Sequence, residues 1–158
     1  MHANIWQLAT KLIDEDDYVF ESCFYDNTSD FADYVSAKSM CDSEDDINKW
    51  LPRILDGLFT CNGRELTFIG SAEFLTEWND ALKKSVDILD NENILKFPNL
   101  YHVECMAKYT HKNVYHRFVV EEYFGSFPET YGDFVTYAYG NLKPGDKLYV
   151  GAVIDFHY

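Results

Sequence analysis

An α+β fold is what this sequence predicts, and three observations predict it. Apolar residues recur at helical spacing in the first third. The middle adds two longer helical stripes around one short hairpin signal. The last third is rich in β-branched and aromatic residues. The expected architecture is a mainly helical N-terminal part with a short hairpin, followed by a C-terminal antiparallel β-sheet with one inserted helix. At 158 residues, 47% of them apolar, the chain is sized for one domain over residues 1–158 with a packed core. Aromatic residues make up 17%, so that core can be built from few, large side chains.

The elements follow in order. Ile5, Leu8, Ala9 and Leu12 stand at helical spacing, which predicts an amphipathic helix over residues 3–14. Asp14, Glu15, Asp16 and Asp17 come next; four acids oppose the dipole at a helix C-terminus and should end it there. Residues 18–25 read as a short strand, with a helix as the alternative. Thr28 or Ser29 is placed to cap a helix over residues 30–40, with Phe31, Tyr34 and Val35 on one side. Ser43 followed by Asp46 resembles a capping box. Ile47, Trp50, Leu51, Ile54, Leu55 and Leu58 then form a helical stripe that Pro52 should kink or split.

Asn62-Gly63 is the preferred pair for a two-residue hairpin turn, here between residues 58–61 and 64–69. Ser71 caps a long helix over 72–89, with Phe74, Leu75, Trp78, Leu82, Val86 and Leu89 as its buried face. Residues 91–98 are a loop. Residues 100–109 and 114–124 form a second hairpin. Pro128 opens a helix with the stripe Tyr131, Phe134, Val135 and Ala138, ended by Gly140. A turn over residues 143–146 leads to a final strand, 147–157, expected to pair with the second hairpin.

Charge is the main anomaly. The chain holds 27 acids against 13 Lys and Arg, a formal net charge of −14. Such a field repels DNA, RNA and anionic lipid, so direct nucleic-acid binding and membrane binding are disfavoured and a cationic protein partner is favoured. Residues 1–50 alone carry 12 acids and three bases. An excess concentrated in one segment points to a charged face; even spreading would serve solubility equally well. Carboxylates on a folded surface stand roughly 6–8 Å apart, comparable with successive phosphates along a strand. A protein that grips phosphates through Lys and Arg would accept such a row for the same electrostatic reason. DNA-mimic inhibitors, including anti-restriction and anti-CRISPR proteins of phages, work by this physics. No motif ties this chain to one of those families.

The expected partner-binding residues are therefore Asp14, Glu15, Asp16, Asp17, Asp26, Asp30, Asp33, Asp42, Glu44, Asp45 and Asp46, with Tyr18 and Tyr25 as rim contacts. The leading expectation is a non-catalytic acidic protein that inhibits a basic, nucleic-acid-handling partner. An immunity protein that neutralises a toxin is the first alternative. A ligand binder or enzyme is the second, with a pocket between the C-terminal sheet and the long helix, lined by Tyr101, Tyr109, Tyr115, Tyr137 and Tyr149.

Sites for chemistry are scarce. There is no P-loop, no Gly-x-Ser-x-Gly elbow and no zinc or calcium spacing, so no catalytic residue, metal or cofactor is expected. His102 and Glu104 share a strand face and His116 can lie across from them, but the wet face of a sheet is the commoner explanation. Glu121 and Glu122 point to opposite faces of a strand, and Arg117 is the natural salt-bridge partner for Glu121. Lys108, His111, Lys112, His116 and Arg117 make the one basic neighbourhood; it protects a sheet edge, meets the acidic face of a second copy in a homodimer, or binds an anion. Cys23, Cys41, Cys61 and Cys105 form no C-x-x-C pair, and Cys23 and Cys105 are expected to pack inside strands. With no basic leader or long apolar run at Met1 to Trp6, the expected location is cytoplasmic.

Overall fold

The structure, a computed structural model, describes residues 2–27, 32–87, 115–120 and 127–157. The chain forms two compact units, Met1–Gly70 with Tyr115–Tyr158, and Ser71–Val114. The first holds a seven-stranded mixed sheet: β1 His2–Ala9, β2 Tyr34–Ala37, β3 Phe59–Asn62, β4 Glu65–Phe68, β5 Arg117–Val120, β6 Glu129–Thr130 and β7 Lys147–His157. It also holds helices α1 Met40–Lys49, α2 Leu51–Ile54 and α4 Tyr131–Asn141. The described part of the second unit is α3, Ala72–Asp87, whose first turn is capped as expected: the Ser71 hydroxyl accepts from Phe74 N–H at 3.2 Å. Leu75, expected on the buried face of α3, is exposed. Among the described residues no helix is long and apolar enough to cross a membrane.

The N-terminal part is not mainly helical, and the sheet is not a C-terminal antiparallel one. Residues 2–9 form β1, flanked by β7 antiparallel and β5 parallel. Every residue from Ala3 to Ala9 is buried. A strand covered on both faces is apolar at nearly every position, so it carries no period of two, and its residues also satisfy a helical spacing. Residues 14–17 accordingly end no helix; a 3-10 turn, Glu15–Asp17, follows a short link. Residues 18–25 are not a strand. They run as coil into a second 3-10 turn, Glu21–Asn27, which drives Phe24 into the core.

Within 30–40 the chain forms strand β2 instead of a helix, because Tyr34 to Ala37 pair with the end of β7. Residues 28–31, including the expected caps Thr28 and Ser29, lie outside the described residues. The stripe around Pro52 does split, into α1 and α2 on either side of Trp50. Its cap is Ser39, not Ser43: the Ser39 hydroxyl accepts from Asp42 N–H at 3.1 Å. In the first hairpin Asn62 pairs with Glu65, so the turn is Gly63-Arg64, one residue later than Asn62-Gly63. Positive φ occurs at Gly63 and at no non-glycine residue described, the demand of a type II′ turn. Helix α4 keeps its expected stripe, with a Thr130–Asp133 capping box.

β7 is the organising strand. Along one edge it pairs with β1 from Tyr149 to His157. Along the other it pairs with β4 near its start, Thr67 opposite Lys147, and with β2 near its end, Tyr34 opposite His157. Among the described residues no strand covers that edge between these two contacts. The expected pairing of β7 with a preceding hairpin is replaced: β5 lies beyond β1, and residues 100–109 fall outside the described residues.

A bulge interrupts the β1–β7 ladder. Trp6 faces Val153 and Leu8 faces Val150, so Gln7 stands opposite both Gly151 and Ala152. The buried Gln7 amide repairs the break. Its carbonyl accepts from Ala152 N–H at 2.9 Å and Val19 N–H at 3.0 Å, and its NH₂ donates to Asp17 carbonyl at 3.0 Å. A Cβ at position 151 would lie 2.6 Å from the Gln7 carbonyl oxygen and 2.8 Å from Ile13, so glycine there makes room for this link. One sheet face packs Ala3, Ile5, Val119, Ile154 and Phe156 beneath Phe24. The other carries Phe118, stacked on Phe134 at 4.3 Å, which also stacks on Phe59 at 5.7 Å.

Candidate acidic interface

Three local devices hold the acidic segments. The turn Glu15–Asp17 is fastened to the sheet through Gln7, as above. Helix α1 is fastened through Asp46, which accepts from Asn4 Nδ2 at 3.0 Å and pairs with Lys38. Lys38 also approaches Asp155 at 4.0 Å, and Asp155 bonds His2 at 2.9 Å. The third device is Arg64 in the hairpin turn. Its guanidinium donates to Glu44 at 2.6 and 2.9 Å, to the carbonyls of Val150 and Gly151 at 3.1 and 2.6 Å, and to Tyr18 hydroxyl at 3.1 Å. Arginine thus serves the stretch of β7 edge that no described strand covers.

Replacing Arg64 by Ala strands two backbone carbonyls and the Glu44 carboxylate. We expect a loss of about 2–3 kcal/mol in denaturant unfolding, with no recovery in Arg64→Lys, because an ammonium cannot fork to several acceptors. Unchanged midpoints would remove Arg64 from this role.

The expected partner-binding residues sort by how they are held. Asp14, Glu15, Asp16, Asp17 and Asp42 are exposed, and among the described residues none of the five makes an ion pair. Asp42 is engaged locally, accepting from the Ser39 hydroxyl at 2.6 Å. Asp45 is exposed and pairs with Lys49 at 2.8 Å. Asp33 bonds His157 at 3.0 Å at the end of β7. Glu44 and Asp46 are half-buried and matched by Arg64 and Lys38, so their charge is spent within the fold. Asp26 falls in the turn Glu21–Asn27, its side chain not among those described, and Asp30 lies outside the described residues. Of the rim candidates, Tyr18 is half-buried on Arg64, and the Tyr25 side chain is not among those described.

Two adjoining cavities connect Glu15 with the acids of α1. One, of about 300 Å³, opens at the β7 edge and is lined by Glu15, Phe20, Met40 and Glu44 among others. The next, of about 480 Å³, is bordered by Asp42, Asp45, Asp46, Asp155 and Trp50. They share Ala37 and Lys38. Glu15 of the first turn and the acids of α1, about 30 positions apart in the chain, therefore border adjoining cavities. Sequence reasoning missed Asp155, a lone acid in an apolar strand, and the exposed apolar residues Phe20, Met40 and Trp50, which resembled core.

Of the expected basic neighbourhood only His116 and Arg117 are described. His116 turns inward, where its Nδ1 accepts from Asn4 N–H at 3.3 Å. Burial pushes its pKa down to about 4, so the ring is neutral. Burial also lowers Arg117, which lies in the field of Asp133 and Glu129; Glu121, its expected partner, is outside the described residues, as are Lys108, His111 and Lys112. Burial raises the Glu129 carboxyl, and the neighbouring Asp133 raises it further. Among the described residues no group of three His, Cys, Asp or Glu is placed to hold a metal; His102 and Glu104 lie outside them. Of the tyrosines expected around a ligand pocket, Tyr101 and Tyr109 lie outside the described residues, Tyr137 is buried in α4, and Tyr115 packs against the core.

Cys23 is exposed in a 3-10 turn and does not pack in a strand. The Cys61 thiol is pushed up to about 11 by burial, so it stays protonated and a poor nucleophile. Iodoacetamide at pH 8 should label Cys23 at least tenfold faster than Cys61, read by peptide mass mapping; equal rates would contradict the burial of Cys61.

No protein-family model matches this chain, and no curated protein or solved structure matches it.

Proposed function

We propose that this chain is a non-catalytic binding protein whose acidic surface covers a basic, nucleic-acid-handling site on a partner protein. The observation that carries the reading is the juxtaposition above. Exposed Glu15 and the α1 acids Asp42 and Asp45 border adjoining cavities, and Asp14, Glu15, Asp16, Asp17 and Asp42 lie at the surface without an ion pair among the described residues, while Glu44 and Asp46 are half-buried and matched. Surplus charge on one stretch steers a cationic partner and repels nucleic acid itself. Tying that stretch to the sheet through Gln7 and Asp46 presents the charges with little ordering cost on binding.

The test is capture and competition. The chain is immobilised, a lysate of its source cell is applied at low salt, and bound protein is eluted by a salt gradient. The reading expects a nucleic-acid-binding protein that elutes with salt and is displaced by duplex DNA or RNA. A captured protein indifferent to both nucleic acids would favour toxin neutralisation instead. Capture that is insensitive to salt would remove the electrostatic basis altogether.

A further inference from the structure

The smaller cavity has features that display of charge does not require. At about 300 Å³ it lies at the lower end of ligand-pocket sizes. Its wall is mainly apolar, with Val19, Phe20, Met40 and Val153 contributing. Phe20 and Met40 are 61% and 69% exposed, large apolar side chains left open to water. Two carboxylates reach the cavity, Glu15 and Glu44. Lys38 and Arg64 also line the cavity, engaged by Asp46 and Glu44 respectively, whereas Glu15 makes no ion pair among the described residues and stands exposed beside the apolar wall.

We propose that this cavity receives an arginine side chain of the basic partner; the proposal rests on the binding reading above and names its anchor. An arginine is amphipathic in the same sense as the cavity. Its three methylenes suit the apolar wall, its guanidinium can bond Glu15, and the exposed Phe20 ring offers a face for cation–π stacking. Anionic ligands are repelled by a segment with 12 acids and three bases in its first 50 residues. Lysine fits less well, because its ammonium is compact and strongly hydrated and loses more on entering a half-apolar site. Arginine is also enriched among the few residues that dominate interfaces, and these fill pockets rimmed by weaker contacts.

The probe is a hexa-arginine peptide titrated into the full chain, with hexa-lysine as comparison, followed by NMR at the Met40 methyl and the backbone amides. The proposal expects saturable shifts at Met40 and at amides 151–154, with hexa-lysine at least fivefold weaker. Glu15→Gln should weaken hexa-arginine at least threefold. Ala37→Leu, at an exposed position on the cavity wall, should abolish the cavity shifts while leaving those at residues 14–17. Salt-sensitive shifts confined to residues 14–17, 42 and 45 would overturn the arginine pocket and leave the acidic-surface reading standing. Cavity shifts that persist in Ala37→Leu, or equal binding of the two peptides, would also overturn it. A spectrum that does not respond to either peptide at low salt would overturn both.

Discussion

Replacing Gln7 by Leu should lower unfolding stability by about 3 kcal/mol or more, among the largest single-residue effects in this chain. Leucine has at least the bulk of glutamine, so the loss is not chiefly that of a cavity. It comes from the buried N–H of Ala152 and the half-buried N–H of Val19 and carbonyl of Asp17, which all lose their partner. Each unpaired buried polar group costs about 1–3 kcal/mol. Gln7→Glu should not restore stability: a carboxylate keeps both N–H bonds but sets an oxygen against the Asp17 carbonyl and buries an unpaired charge at a position with no exposure. The effect also reaches the interface: with the Asp17 link gone, amides in the turn Glu15–Asp17 should exchange hydrogen faster than in wild type, measured at a pH where both fold. Equal stability of Gln7→Leu and wild type would show that the bulge is held by other means.

The second large effect is acid destabilisation through His116. Its folded pKa, about 4, lies below the ordinary value of 6.5, because burial disfavours the charged ring. Asp46 opposes this and Lys38 reinforces it. The bond from Asn4 N–H adds a geometric reason, since only a neutral ring offers Nδ1 a lone pair. Between pH 6.5 and 4 the unfolded chain binds the extra proton, so stability rises with pH across that window. The contribution is fully present above pH 6.5, is lost as pH falls towards 4, and amounts to about 3 kcal/mol. A His116→Phe variant should show a flatter stability profile over the same window, even if less stable at pH 7 for want of the Asn4 bond. Parallel profiles for the two proteins would place the titration elsewhere.

Legibility in the sequence followed the locality of the forces. Helix α4, the cap on α3, the split at Pro52 and strand β7 over residues 147–157 rest on neighbouring residues, and each was readable. β1 was not. Its residues satisfy helical spacing and strand burial alike, and the partners that decide, β5 and β7, lie more than a hundred positions away. β2 failed for the same reason, having only the end of β7 to define it. The acidic excess of the first third was visible, but the division of labour within it was not. No spacing rule indicates that Asp46 serves Lys38 and Asn4, or that Glu44 serves Arg64 across 20 residues, while Asp16 and Asp17 stay open. Gln7, the residue that links the bulge to the acidic turn, reads in the sequence as an ordinary polar interruption of a stripe.

The central claim is that unpaired acids on one tract of this surface bind a cationic partner. It is tested most directly by the dissociation constant of the captured partner over a range of NaCl concentrations, for wild type and for a chain carrying Asp14→Asn, Glu15→Gln, Asp16→Asn, Asp17→Asn and Asp42→Asn. The account predicts affinity that falls steeply with salt in wild type, and a variant at least tenfold weaker at low salt with a shallower slope. Equal affinities and equal slopes in the two proteins would contradict it.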